Sequence, residues 1–300
     1  MSRLSANLLL LSVAAIWGST FVIQQIGLQD LGPLLFTGAR FLLGGLLVLP
    51  LAWWETQRPA ADHRPLTGRD AAGFAVTGLA LGTAATLQQI GILGTSVSNA
   101  GFLTALYVPL VPLLAVAALR VLPHWSIWPG AGGCVIGTYL LGGGSLDHFQ
   151  TGDFWVMAGA AFWAVHVLLI GIMSQRTGRP FLLACGQFLI CGAVVCLIGL
   201  ALEEASLAAF SRGLPAILYG GLLSVGLGFT GQVIGQRHTT PADAAIILSA
   251  ETVFAALCGA VFLDERLSWM AWGGAGLILA SILSVQVLPL FIRSPSPSPG

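Results

Sequence analysis

The chain contains no lysine; all 12 of its Lys+Arg positions are arginine. A phosphate-cradling P-loop needs its lysine, so nucleotide hydrolysis by that route is excluded, as is Schiff-base chemistry on a lysine amine. Charge of either sign is scarce, at 8% of residues, against roughly 25% in soluble domains. Neither His-Glu-x-x-His nor Gly-x-Ser-x-Gly occurs, which removes those zinc-peptidase and serine-hydrolase arrangements. The five cysteines, Cys134, Cys185, Cys191, Cys196 and Cys258, all fall in apolar runs and read as small hydrophobes in preference to disulfides or metal ligands. Nothing in the sequence asks for a metal, a cofactor or a nucleic-acid partner.

What the chain has in abundance is apolar length. The stretch from Ala244 to Leu263 is 20 residues, which at ~1.5 Å per residue reaches across the ~30 Å hydrocarbon core of a bilayer. With 56% hydrophobic residues overall, the chain reads as an all-α integral membrane protein whose first partner is lipid. Its 39 glycines let membrane helices approach closely. Leu4 to Ile16 has the look of a signal peptide, but the apolar pattern continues to Ile26 without a small-x-small cleavage site, so a retained first helix is expected. The tail Ser294-Pro-Ser-Pro-Ser-Pro-Gly300 is of low complexity, and residues 293–300 are expected to be disordered.

Apolar runs between charged, Pro-rich or Gly-rich breaks give ten spans, near 4–26, 33–54, 71–93, 99–120, 126–144, 153–173, 180–201, 214–235, 241–263 and 269–291. An even number puts both termini on one side. If that side is the cytoplasm, the inner segments hold Arg3, Arg58, Arg64, Arg69, Arg120, Arg176, Arg179, Arg237 and Arg293, and the outer loops only Arg212 and Arg266. Such a bias orients the chain with cytoplasmic termini. The outer loops collect Asp30, Asp147, Asp153, Glu203, Glu204, Asp264 and Glu265 instead.

The sequence also repeats. At an offset of 144, Ile90-Gly91 falls on Ile234-Gly235, Thr95 on Thr239, and Ala100 on Ala244. Trp125-x-x-Trp128-x-Gly130-x-Gly132 falls likewise on Trp269-x-x-Trp272-x-Gly274-x-Gly276, and at an offset of 146 Trp17 falls on Trp163. Each half, 1–145 and 146–292, holds five spans, so the second is expected to sit inverted relative to the first. Inverted repeats around a midplane site are a transporter signature. The tryptophans at 125, 128, 269 and 272 start helices and suit an interfacial belt. Thr240-Pro-Ala-Asp243 reads as an N-cap, a first-turn proline and a helix-start acid.

Polar residues three or four apart share a helix face. Such faces carry Trp17, Thr20 and Gln24, with Ser19 alongside, on the first span, and Trp163 and His166 on the sixth. Others carry Thr83, Thr86 and Gln89, Thr104 and Tyr107, Gln232 and Gln236, and Ser249 and Glu251. Six such faces predict a central cavity, though single Ser, Thr and Gln residues also serve to bond neighbouring helices. Tyr107 is the counterpart of Glu251, and the nearby Pro109 and Pro112, absent from the ninth span, mark the fourth as the bent or gating helix. His166 is the one histidine inside a span; His63, His124, His148 and His238 lie in or beside loops. It reads as a packing residue or a proton relay.

Arg40 and Glu251 are the charges within the membrane. Each lies roughly 10 Å from an opposite end of its helix, so in a ~30 Å core they differ in depth by roughly 10 Å. Separate partners, water, or protonation of Glu251 for part of the time are the ways to accommodate them, because removing a carboxylate from water disfavours its charge.

Trp17-Gly-Ser-Thr-Phe21, Ala39-Arg-Phe41, and Ala250-Glu-Thr-Val-Phe-Ala-Ala-Leu257 followed by Asp264-Glu-Arg-Leu267 resemble the EamA domains of the drug/metabolite transporter superfamily. In particular the chain is similar to the YddG-type bacterial exporters of aromatic and other amino acids. The resemblance covers essentially the whole chain. It implies ten helices around a central cavity, alternating access and export of small metabolites. The family's common Glu-Pro is Glu251-Thr252 here, so a kink from that proline is not expected. Small multidrug relatives carry their cation-binding carboxylate in the first helix, which has none here between Leu4 and Ile26. The expectation is an exporter of neutral amino acids with apolar or aromatic side chains, with proton coupling through Glu251 or simple facilitation both open. Other amphipathic metabolites or drugs are the alternative cargo. An intramembrane enzyme pairing His166 with Glu251, and an assembly protein using Gly78-x-x-x-Gly82 and Gly133-x-x-x-Gly137, are the rivals from other classes.

Overall fold

The structure is a computed structural model that describes residues 1–58, 65–95, 97–141, 143–144, 150–262 and 266–291. His63, Arg64, Asp147, His148, Asp264, Glu265, Arg293 and the 293–300 tail lie outside the described residues. All regular structure among those described is helical: α1 Arg3–Gly27, α2 Pro33–Thr56, α3 Gly68–Ile92, α4 Val97–Thr104, α5 Tyr107–Leu119, α6 Ile127–Leu141, α7 Thr151–Thr177, α8 Pro180–Leu202, α9 Leu207–Leu218, a π-helical segment Tyr219–Phe229, α10 Thr230–Gln236, α11 Pro241–Leu248, α12 Ala250–Phe262 and α13 Trp269–Phe291. Helix is what an apolar run must form in lipid, where each backbone N–H and C=O needs an internal partner. Among the described residues nine helical stretches are long and apolar enough to cross a membrane, and Ile127–Leu141 is a shorter apolar helix. Together they make the ten expected crossings.

Two crossings are broken at matching places. The fourth divides at 105–106, between α4 and α5, and the ninth at Ser249, between α11 and α12. At the first break Pro109 supplies no N–H and its ring crowds the carbonyl four residues back, that of Ala105. At the second, Ser249 Oγ donates to the Ile246 carbonyl at 2.6 Å and Thr252 Oγ1 to the Ser249 carbonyl at 2.8 Å, hydroxyl back-bonding that bends helices. The expectation that prolines single out the fourth span for bending is thereby corrected. Hydroxyls open the ninth span where prolines help open the fourth. The eighth span carries an 11-residue π segment, whereas the third, its counterpart, is a continuous α-helix.

The inverted relation shows in the contacts. Antiparallel α2 and α8 cap one another: Glu203, at the end of α8, accepts from Leu34 N and Leu35 N at 2.8 Å each, and Glu55, in the last turn of α2, accepts from Leu182 N at 2.8 Å. Each carboxylate thus meets the positive end of the other helix. Close approach of α1 to α12 depends on Gly18, where a Cβ would lie 2.8 Å from the Glu251 carbonyl oxygen and 2.7 Å from Ala255 N. The ion pairs Asp70–Arg176 at 2.9 Å, Asp30–Arg212 at 2.8 Å and Arg3–Asp243 at 3.1 Å each join segments that ten alternating crossings bring to the same face. Thr240 Oγ1 accepts from Asp243 N at 3.1 Å, the expected cap.

Glu203→Ala is expected to destabilise the detergent-solubilised protein by about 1 kcal/mol, the typical cost of losing an N-terminal cap. Glu204→Ala should stay within about 0.5 kcal/mol of the parent, as exposed substitutions do. Thermal unfolding followed by tryptophan fluorescence makes the comparison, and equal shifts for the two would contradict the capping role.

Candidate functional site

The bundle holds a narrow central cavity, with about 50 Å³ of room for the centres of water molecules. One side is an aromatic wall. Trp17 on α1 and Trp163 on α7 flank Phe229 at the end of the π segment, with centroids 4.5 Å and 5.8 Å from it, and the Trp163 ring is nearly parallel to Phe229 at 16°. Hydrogen bonds fix both indoles: Trp17 Nε1 donates to the Ser224 carbonyl at 3.2 Å and Trp163 Nε1 to Gln88 Oε1 at 2.7 Å.

The polar groups gather at two levels. At one, Arg40 Nη2 donates to Gln24 Oε1 at 3.4 Å, Gln88 Nε2 to the same oxygen at 3.5 Å, and Thr104 Oγ1 to Gln88 Oε1 at 3.4 Å. At the other, Tyr107 and Glu251 stand in the first turns of α5 and α12, just past the two breaks. The Tyr107 hydroxyl is buried without a hydrogen-bond partner, and among the described residues no donor reaches the Glu251 carboxylate. Half-helix N-termini beside a midplane cavity are where transporters place anionic groups. The Glu251 carbonyl backs onto Gly18, and Arg40 meets Gln24, six residues further along α1. The backbone contact of Glu251 and the side-chain contact of Arg40 thus fall on α1 residues about 9 Å apart.

Of the residues expected to face the cavity, the structure brings Trp17, Thr20, Gln24, Thr104, Tyr107, Trp163, Gln232 and Glu251 to its wall, and Arg40 with them. Four lie elsewhere. Ser19 Oγ bonds the Ile16 carbonyl and the Tyr219 hydroxyl, both at 2.6 Å. Thr86 lines a separate apolar groove between α3 and α8 with Thr83 and Val194. His166 is fully buried and bonds Gln187 Oε1 at 2.8 Å. Ser249 spends its hydroxyl on the break, with Cys134 Sγ 3.3 Å away. Pro109 and Pro112 shape α5 without lining the cavity.

Six wall residues escaped the sequence reading: Gln88, Ser224 and Phe229, and the apolar Phe21, Val167 and Leu248. On the third span the face Thr83, Thr86 and Gln89 was expected, but it is Gln88 that reaches the cavity while Gln89 Nε2 bonds the Gln24 carbonyl at 3.3 Å. Adjacent glutamines left the helical phase open. Phe229 and Ser224 sit in the π segment, whose wider turn changes which side chains face inward. Among the described residues no group of three or more His, Cys, Asp or Glu could hold a metal.

Ten crossings in two oppositely oriented halves around a polar-ended cavity define a multi-pass membrane transporter architecture. The chain belongs to the EamA-like transporter family, whose model matches residues 4–143 and 150–286. Its relatives include an uncharacterized transporter of Archaeoglobus fulgidus, 29% identical over 291 residues, covering 96% of this chain and 87% of that protein. The uncharacterized inner membrane transporter YedA of Escherichia coli K12 is 26% identical, with coverages of 93% and 89%. The uncharacterized transporter YwfM of Bacillus subtilis is 25% identical, with 94% of each chain covered. A solved crystal structure superposes with a TM-score of 0.77 at 18% identity, over 98% of this chain and all of that one, and shows the fold alone.

In a chain whose native cysteines are replaced by alanine, Thr104→Cys and Gln232→Cys are expected to react with water-soluble methanethiosulfonates in membrane vesicles at least tenfold faster than Ser249→Cys. Equal rates would contradict the placement of Thr104 and Gln232 on the cavity wall and Ser249 behind it.

Proposed function

We propose that the protein is a secondary exporter of small neutral metabolites, chiefly aromatic and other apolar amino acids. The observation that carries this reading is the central cavity itself, with an aromatic wall of Trp17, Phe229 and Trp163 running between polar levels at Arg40 and Glu251. Such a wall suits an apolar side chain, and the polar levels suit amino and carboxyl groups. Alternating access is favoured by the inverted halves and by the breaks at 105–106 and 249. The arginine bias of the inner segments favours cytoplasmic termini, and YedA, named an inner membrane transporter, favours the same membrane for this chain. A cationic drug is a poorer cargo because Arg40 faces the same space. An intramembrane enzyme would need His166 beside Glu251, but His166 is turned to Gln187 and is absent from the wall. The glycine faces offered for an assembly role pack within the chain: a Cβ at Gly78 would lie 2.9 Å from the Gln187 carbonyl and one at Gly137 2.8 Å from that of Gly274.

In reconstituted vesicles, labelled phenylalanine is expected to cross at a rate at least tenfold above protein-free vesicles, with leucine and tryptophan competing. Flux no greater than in empty vesicles for any neutral amino acid would remove the amino-acid reading.

Coupling to protons is the second part of the proposal, favoured by a buried Glu251 carboxylate on the cavity wall with no ion-pair partner among the described residues. On this reading Glu251→Gln abolishes uphill export driven by a pH gradient while leaving downhill exchange within about threefold. Unchanged gradient-driven export in that variant would reduce Glu251 to a structural or substrate-facing group.

A further inference from the structure

Among the described residues no acid neutralises the charge of Arg40. It is 4% exposed, and its one hydrogen bond is a long one, 3.4 Å, to the neutral amide of Gln24. Its Nε has no acceptor, and no carboxylate lies within ion-pair distance among the described residues. The charge is held in place by apolar surfaces: the guanidinium carbon lies 5.5 Å from the Phe36 ring centroid and 5.2 Å from that of Phe41. The stem packs on the π segment, where a Cβ at Gly220 would lie 3.2 Å from Arg40 Cδ. Cation–π contacts of this kind hold and orient a guanidinium without cancelling its charge. A buried arginine so placed presents a planar fork of N–H donors to the cavity, and a carboxylate is the group that fits a fork with two parallel bonds.

We propose that Arg40 is the anchor for the substrate's carboxylate, so that a free carboxylate is a condition of transport and not an incidental feature of the cargo. This rests on the amino-acid transport reading above and deepens it. The wall supports a head-first placement. Trp163 is tied to Gln88, which meets Gln24 beside Arg40, while Trp17 adjoins Gly18, which backs Glu251. A substrate with its carboxylate on Arg40 therefore lays its apolar body along the aromatic wall toward Glu251.

The test compares phenylalanine and leucine with their uncharged-carboxyl counterparts, phenylalaninamide and leucinamide, in vesicles containing the full-length protein. The wild type is expected to carry the acids at least tenfold faster than the amides. Arg40→Gln should raise the half-saturating concentration of the acids at least tenfold and leave amide flux within about twofold. Arg40→Lys, which keeps the charge and loses the fork, should fall between. A purely structural arginine would lower acid and amide flux together. Equal handling of acids and amides by the wild type overturns the proposal without needing any variant to fold. So does unchanged affinity for the acids in Arg40→Gln. Wild-type vesicles that carry neither acids nor amides would overturn the amino-acid reading and this proposal with it.

Discussion

Two opposite charges held apart in the hydrocarbon slab are the constraint on which the rest of the molecule depends. Each costs about 2.5–3.5 kcal/mol to insert at a helix centre on translocon scales, and direct pairing would offset much of that. Arg40 and Glu251 nevertheless face one cavity, and among the described residues neither lies within ion-pair distance of a partner. The bundle accommodates them by turning both away from lipid. Phe36 and Phe41 flank one, and the first turn of a broken helix carries the other.

That cavity exists because the halves are inverted copies that fail to be identical. Their shared scaffold is the antiparallel α2–α8 pair with its exchanged caps from Glu55 and Glu203. Their shared weakness is a break in the fourth and ninth crossings, reached by different chemistry in each. The asymmetries lie on the cavity side: Tyr107 against Glu251, and a continuous α3 against a crossing with a π segment that brings Ser224 and Phe229 inward. Symmetry thus builds the frame, and departures from it furnish the site.

The helical frame was largely legible in the sequence, because apolar run length and the tryptophan–glycine string depend on local composition. Trp17, Thr20 and Gln24 on α1 follow i, i+3 and i+4 spacing to the wall, whereas the same spacing on α7 pointed to His166, which bonds Gln187 instead. What spacing alone did not disclose was phase. Gln88 and Gln89 are neighbours, and only packing decides which faces inward. Phe229 was hidden because an apolar residue in a membrane chain carries no signal, and because a π segment shifts the helical register that such inferences assume. Ser249 was misplaced for a different reason: a hydroxyl that bonds its own backbone looks, in sequence, like one aimed at a cavity.

The central claim is that one cavity, opened alternately by two inverted halves, carries the cargo. Counterflow tests it most directly. Vesicles loaded with unlabelled phenylalanine and diluted into trace label are predicted to accumulate label transiently above its equilibrium level, because label that enters is diluted by the unlabelled internal pool, which competes with it for the inner-facing site. Label that rises only monotonically to equilibrium, at a rate independent of the internal load, would contradict a single alternating site.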